Sequence, residues 1–207
     1  MLSCGMADKG SGIEVGKAVG RSLGAKPGDK IVLGIDPGTT VMGYGVVLKQ
    51  GTKLSILRFG VLHLSKYKDH HLKLRKIYER ITELIKEFQP QEMAIEAPFY
   101  GENVQSMLKL GRAQGVAIAA AMAADLEVTE YAPAKIKVSI TGNGLASKGQ
   151  VAAMLTHLLD LDAQSVELHD ETDAIAVAVC HLNQGVLGKQ SAKSWGDFVK
   201  ANPNRVK

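Results

Sequence analysis

At 207 residues the chain fits one ordinary domain plus tails, and 45% hydrophobic against 22% charged residues is a globular balance that excludes a wholly disordered protein. A formal charge of +4 permits an anionic partner without requiring one, and two cysteines, Cys4 and Cys180, form neither a disulfide framework nor a metal-ligand spacing, as expected of a reduced, cytoplasmic protein. Membrane proteins are set aside because the richest apolar stretch, over 116–124, is largely alanine and too short for a bilayer.

Residues 1–29 carry scattered Gly and Lys and lack the continuous apolar segment of a signal peptide, so they are expected to form a flexible extension. The folded domain is expected over 30–185, with a polar tail over 186–207. Ile31-Val32-Leu33-Gly34-Ile35-Asp36 is short and apolar, the pattern of a strand buried on both faces. Residues 43–48 and 54–64 read as the next two strands. The links between the three are too short for crossover helices, which predicts an antiparallel meander. A long helix over 69–88 places Ile77, Ile81, Leu84, Ile85 and Phe88 on one face, and Pro90 ends it. A strand over 92–96, a helix over 103–124 and a strand over 128–132 follow, then helices over 133–140, 147–159 and 170–184. This order implies an α/β fold with a mixed five-stranded sheet and helices on both faces.

The helix over 103–124 is rich in small residues, with Gly111 and Gly115 among seven alanines. Glycine within a helix costs about 1 kcal/mol relative to alanine, so both glycines point to close approach of another element. That element is either the chain's own sheet or a second copy of the helix.

Four acids arrive from three separate segments, each at the end of an element. Asp36 closes the first strand before Pro37-Gly38-Thr39-Thr40. Glu96 closes Met93-Ala94-Ile95-Glu96, and Asp170 and Asp173 open the helical stretch that runs on through Ala174 and Ile175. Each has a plainer reading. Asp36 suits a turn before Pro-Gly, and Asp170 alone is a good helix cap. Glu96 is harder to dismiss, because an unpaired carboxylate at the end of an apolar strand is costly. Asp173 lies three residues past Asp170 on the same helical face, where a cap requires no second acid. Converging carboxylates repel unless divalent cations sit between them, and oxygen-only donors suit Mg²⁺ or Mn²⁺ rather than zinc. Two such ions can cleave a phosphodiester, one activating water and the other stabilising the leaving oxygen. Asp36 is the expected bridging ligand, since the first strand of such a sheet usually lies centrally.

Basic and aromatic residues form the next layer. Lys135 and Lys137 fall near the start of one short helix and Lys148 at the start of another, where the helix dipole opposes a lysine unless an anion is shared there. Lys148 is thus either a phosphate contact or a solvated lysine. The denser run Lys66, Lys68, His70, His71, Lys73, Arg75 and Lys76 reads as the solvated face of the first long helix. Phe99 and Tyr100, in a loop just past Glu96, are placed either to stack on DNA bases or to close the core beneath the loop.

Ile35-Asp36-Pro37-Gly38-Thr39-Thr40 with Gly43-Tyr44-Gly45, then Ala94-Ile95-Glu96, the run from Leu108 to Ala117, and Asp170-Glu171-Thr172-Asp173-Ala174-Ile175-Ala176 together resemble the RuvC crossover junction endodeoxyribonucleases. The resemblance implies an RNase H-like fold and Mg²⁺-dependent cleavage of four-way Holliday junctions, with two ions per site and Mn²⁺ as a substitute. It implies paired symmetric nicks with 5′-phosphate ends, a homodimer through the 103–124 helix, and a branch-migration helicase as partner. The family's catalytic acids carry over to Asp36, Glu96, Asp170 and Asp173, and its junction-contacting residues to Phe99, Lys137 and Lys148. Three features depart from the pattern. Residues 1–30 have no counterpart, Ala97 follows the glutamate where several members carry a polar residue, and some relatives carry histidine at the position of Asp170, beside which His169 stands here. The Asp36-Pro37-Gly38-Thr39-Thr40 loop also resembles the first phosphate loop of actin-like ATPases and sugar kinases, whose two-domain architecture needs a longer chain. A non-cleaving junction binder on the same fold is a third reading, although all four acids are present.

Overall fold

The computed structural model describes residues 28–98, 103–159 and 170–184. The expected extension and tail therefore lie outside the described residues, apart from Gly28 and Asp29. Strands β1 (Lys30–Asp36), β2 (Val41–Gln50) and β3 (Lys53–His63) form the antiparallel meander. Helix α1 (His70–Phe88) leads to β4 (Glu92–Glu96), α2 (Val104–Met122) to β5 (Glu127–Tyr131), and α3 (Pro133–Thr141), α4 (Lys148–Leu158) and α5 (Asp170–Gln184) complete the domain. The sheet order is β3-β2-β1-β4-β5, with β4 parallel to β1 and β5 parallel to β4. The first strand is central, as expected.

Alternation along the strands divides the core in two. Leu33, Ile35, Met93 and Ile95 face one side with Ile77, Ile81, Leu84 and the alanines Ala113, Ala117, Ala120 and Ala121. Val32 and Ala94 face the other with Ile136, Val151, Leu155 and the buried run of α5. Helices α1 and α2 thus cover one face, and α3, α4 and α5 the other. The periodic residues Ile77, Ile81, Leu84, Ile85 and Phe88 are the buried face of α1. Asp69 caps that helix by accepting from His71 N at 2.9 Å, and Gln89 ends it in the left-handed conformation just before Pro90. Pro133 begins α3, where its missing N–H costs nothing. Ser147 and Gln150 form a reciprocal capping box at the start of α4.

Two glycines let α5 lie against the sheet centre. Gly34 of β1 pairs with Gly45 of β2. A Cβ on Gly34 would stand 2.2 Å from Ala174 O, and one on Gly45 would stand 3.0 Å from Ile175 Cγ1. Side chains at this spot would lift away the helix that carries Asp173.

Candidate active site

Ile35 lies opposite Ile95 in the parallel β1–β4 pair, so Asp36 and Glu96 reach the same end of the sheet. Both fall on the face covered by α5, two residues beyond Gly34 and Ala94. The first turn of α5 brings Asp173 to the same place. The three carboxylates line one cleft of about 420 Å³ with Lys137 of α3 and Lys148 of α4, over a floor that includes Ile136, Val151 and Ala176. Elements far apart in sequence thus deliver three acids and two lysines to a single groove.

The electrostatics of the groove are those of excess negative charge. Burial pushes the Glu96 carboxyl up to about 7, and the charge of Asp173 pushes the same way, while Lys148 and Lys137 pull against it. Lys148 Nζ donates to Asp173 Oδ2 at 2.6 Å, with the lysine side chain 76% exposed and the aspartate 23%. The anion shared at the start of α4 is therefore a carboxylate of the groove itself. Among the described residues no group of three or more acid, histidine or cysteine side chains is arranged to hold a metal ion as it stands. The donor set nonetheless fits a hard divalent cation: it is oxygen-only, and a bound cation would offset both the burial and the Asp173 charge that oppose ionisation of Glu96.

Of the residues expected from sequence, Asp36, Glu96, Asp173, Lys137 and Lys148 are brought together. Asp170 is the first residue of α5 by backbone, and its side chain is not described. Phe99, Tyr100 and His169 lie outside the described residues. Lys135 instead places its ammonium 5.0 Å from the centre of the Tyr131 ring, away from the cleft lining.

Two features of the site's surroundings were not legible in the sequence. Lys73 Nζ donates to Thr39 O at 3.0 Å, and Leu64 N and Ser65 N both donate to Thr40 O, which pins the loop after Asp36. His181 of α5 bonds Glu92, at the start of β4, through Nε2 and the Tyr131 hydroxyl, at the end of β5, through Nδ1, and Lys30 pairs with Glu92 at 2.7 Å. Burial, with the nearby charges of Cys180 and Glu92, pushes Tyr131 up to about 12. This network ties the last turn of α5 to β4 and β5. The partners are separated by up to 89 residues, and no local spacing announces them.

The family Crossover junction endodeoxyribonuclease RuvC matches residues 32–181. A RuvC from Cytophaga hutchinsonii is 59% identical over 86% of this chain and 89% of its own length. One from Porphyromonas gingivalis is 52% identical over 87% of this chain and 99% of its own. Among solved structures, T. thermophilus RuvC in complex with a Holliday junction substrate superposes with a TM-score of 0.68 at 29% identity, covering 77% of this chain and 96% of that one. The order of strands, the three carboxylates on one cleft and these likenesses over most of the chain agree: the chain belongs to the RuvC family of crossover junction endodeoxyribonucleases, with their RNase H-like fold.

Proposed function

We propose that this chain resolves four-way Holliday junctions by hydrolysing one phosphodiester in each of two opposed strands. Asp36, Glu96, Asp170 and Asp173 would hold two Mg²⁺ ions per site, with Mn²⁺ as an effective substitute. When bound, the ions supply an activated water and stabilise the charge on the leaving 3′ oxygen. The observation that carries this reading is the single cleft in which acids from β1, β4 and α5 meet Lys137 and Lys148.

The chain's own residues have separable tasks. Lys137 and Lys148 draw a phosphate of the scissile strand toward the acids, and Lys148 exchanges its Asp173 partner for that phosphate. Glu96, protonated to a large extent near pH 7 in its present surroundings, gives up its proton as cationic charge enters the cleft. Phe99 engages the opened junction centre by stacking.

A four-way junction has two-fold symmetry, and a two-fold dimer presents two equivalent clefts to it. Helix α2 is the proposed interface. Val104, Leu108 and Met122 are 65%, 52% and 64% exposed, and with Gly111 and Gly115 they fall on one stripe of the helix. Beyond the chain neighbours and the helix's own backbone, nothing among the described residues lies within 4 Å of a Cβ built on either glycine, so the close approach that they allow is available to a second copy. The products would be paired symmetric nicks with 5′-phosphates, made in the cytoplasm behind a branch-migration helicase.

Asp36→Asn tests the reading at its centre. The variant should still shift a junction in a gel, with affinity equal to or above that of the native chain once a negative charge is gone, and should make no nicks. Cleavage by Asp36→Asn at the native rate would remove Asp36 from the metal site.

A further inference from the structure

The basic run at the start of α1 divides in two once the chain is folded. Arg75 and Lys76 share Glu79, each at 2.7 Å, and form the ordinary solvated face of a helix. Lys73 reaches instead to Thr39 O, and His70 lies within range of the charges of Lys109 and Arg112 on α2, which packs alongside α1. Burial first, then the charges of Arg112, His71, Lys109 and Lys73, hold the His70 imidazole below its ordinary pKa, as expected at the middle of a cationic patch. Among the described residues Lys109 and Arg112 make no ion pair, and the carboxylate bonded within the patch is Asp69, 3.4 Å from His71. Both α2 residues are exposed.

The patch is placed where a nucleic acid leaving the cleft would meet it. Lys73 is bonded to Thr39 O, three residues past Asp36, so the patch begins at the catalytic end of the sheet. It lies on the α1–α2 side, whereas Lys137 and Lys148 stand on the α3–α4 side. Like charges gathered with a single bonded carboxylate, Asp69, among the described residues repel one another, and a polyanion with regularly spaced phosphates relieves that repulsion along its length.

We propose that Lys73, Lys109 and Arg112 form a second DNA-binding surface, separate from the cleft, that grips the phosphodiester backbone of a duplex arm of the junction. This surface rests on the junction-resolving function proposed above. It sets affinity and the path of an arm and takes no part in bond cleavage.

The test is the salt dependence of junction binding in EDTA, where no cutting occurs, for the full-length chain and the double variant Lys109→Gln/Arg112→Gln. Junctions with long arms and with arms cut back to a few base pairs are compared. The double variant should bind long-armed junctions about tenfold more weakly, with a log–log salt slope shallower by about 2, close to 0.9 for each lost phosphate contact. On short arms the difference should vanish. Single-turnover cleavage at saturating protein should match the native chain. Because Arg112 borders the proposed dimer face, Lys109→Gln alone supplies the same test away from it, lowering the slope by about 1. Unchanged slopes on long arms, or equal losses on long and short arms, would overturn the inference. A native chain that bound no junction would instead overturn the function on which it rests.

Discussion

Glu96 carries the sharpest consequence at the scale of a single residue. Its carboxyl ionises near 4.5 in an unfolded chain and near 7 in the fold. The folded state therefore holds that proton more tightly, and the stability this confers is present below about pH 4.5 and is lost as the pH rises through about 7. In metal-free protein, Glu96→Gln should melt higher than the native chain above pH 7, with the gap closing toward pH 5. In a domain of this size each kcal/mol is worth about 2–4 °C. Parallel melting curves across that range would mean that the carboxyl is not strained. Lys148→Ala makes a second test, because it removes the partner of Asp173 and a cation beside Glu96. Junction binding should weaken and lose about one unit of salt slope. The meeting of Asp36, Glu96 and Asp173 was legible in the sequence because each sits at or near the end of an apolar element, a place that composition makes conspicuous. The Lys148–Asp173 pair and the Lys73–Thr39 bond were not, since separations of 25 and 34 residues are closed only by tertiary packing.

At the scale of elements, the site depends on how closely α5 approaches the sheet. Gly34→Ala would set a methyl 2.2 Å from the Ala174 carbonyl, a backbone atom that no rotamer change can move. The variant should lose about 1–3 kcal/mol of stability, the usual cost of overpacking. Cleavage should fall further than junction binding, because Asp173 moves with the helix while the lysines of α3 and α4 do not. Thermal denaturation and single-turnover cleavage measure the two effects. Periodicity and turn lengths were sufficient for the order, type and approximate ends of the ten elements among the described residues, because amphipathic faces are one-sided and breaks are marked by Gly, Pro or a cap. Gly34 was read only as one member of an apolar run. What distinguishes it is a neighbour 140 residues away. Conversely, Gly111 and Gly115 led to the expectation of a close neighbour, and their own sheet does not supply it: the buried side of α2 includes Ala113, Ala117, Ala120 and Ala121.

At the scale of the molecule, the exposed stripe of α2 and the cleft combine into one functional proposal, two active sites related by a dyad. Gly115→Glu should convert the proposed dimer to a monomer by analytical ultracentrifugation while leaving the circular dichroism spectrum of the fold intact, since the position is open within one chain. A dimer that persisted would move the interface elsewhere. Such a monomer should nick single strands of a junction without the pairing of cuts that resolution requires. The most direct measurement is cleavage of a synthetic mobile four-way junction beside linear duplex, with Mg²⁺ and with EDTA. Paired, symmetric nicks confined to the junction and dependent on Mg²⁺ are the expected result. Nicking that survives EDTA, or equal cutting of linear duplex, would contradict metal-dependent junction resolution by the Asp36–Glu96–Asp173 cleft.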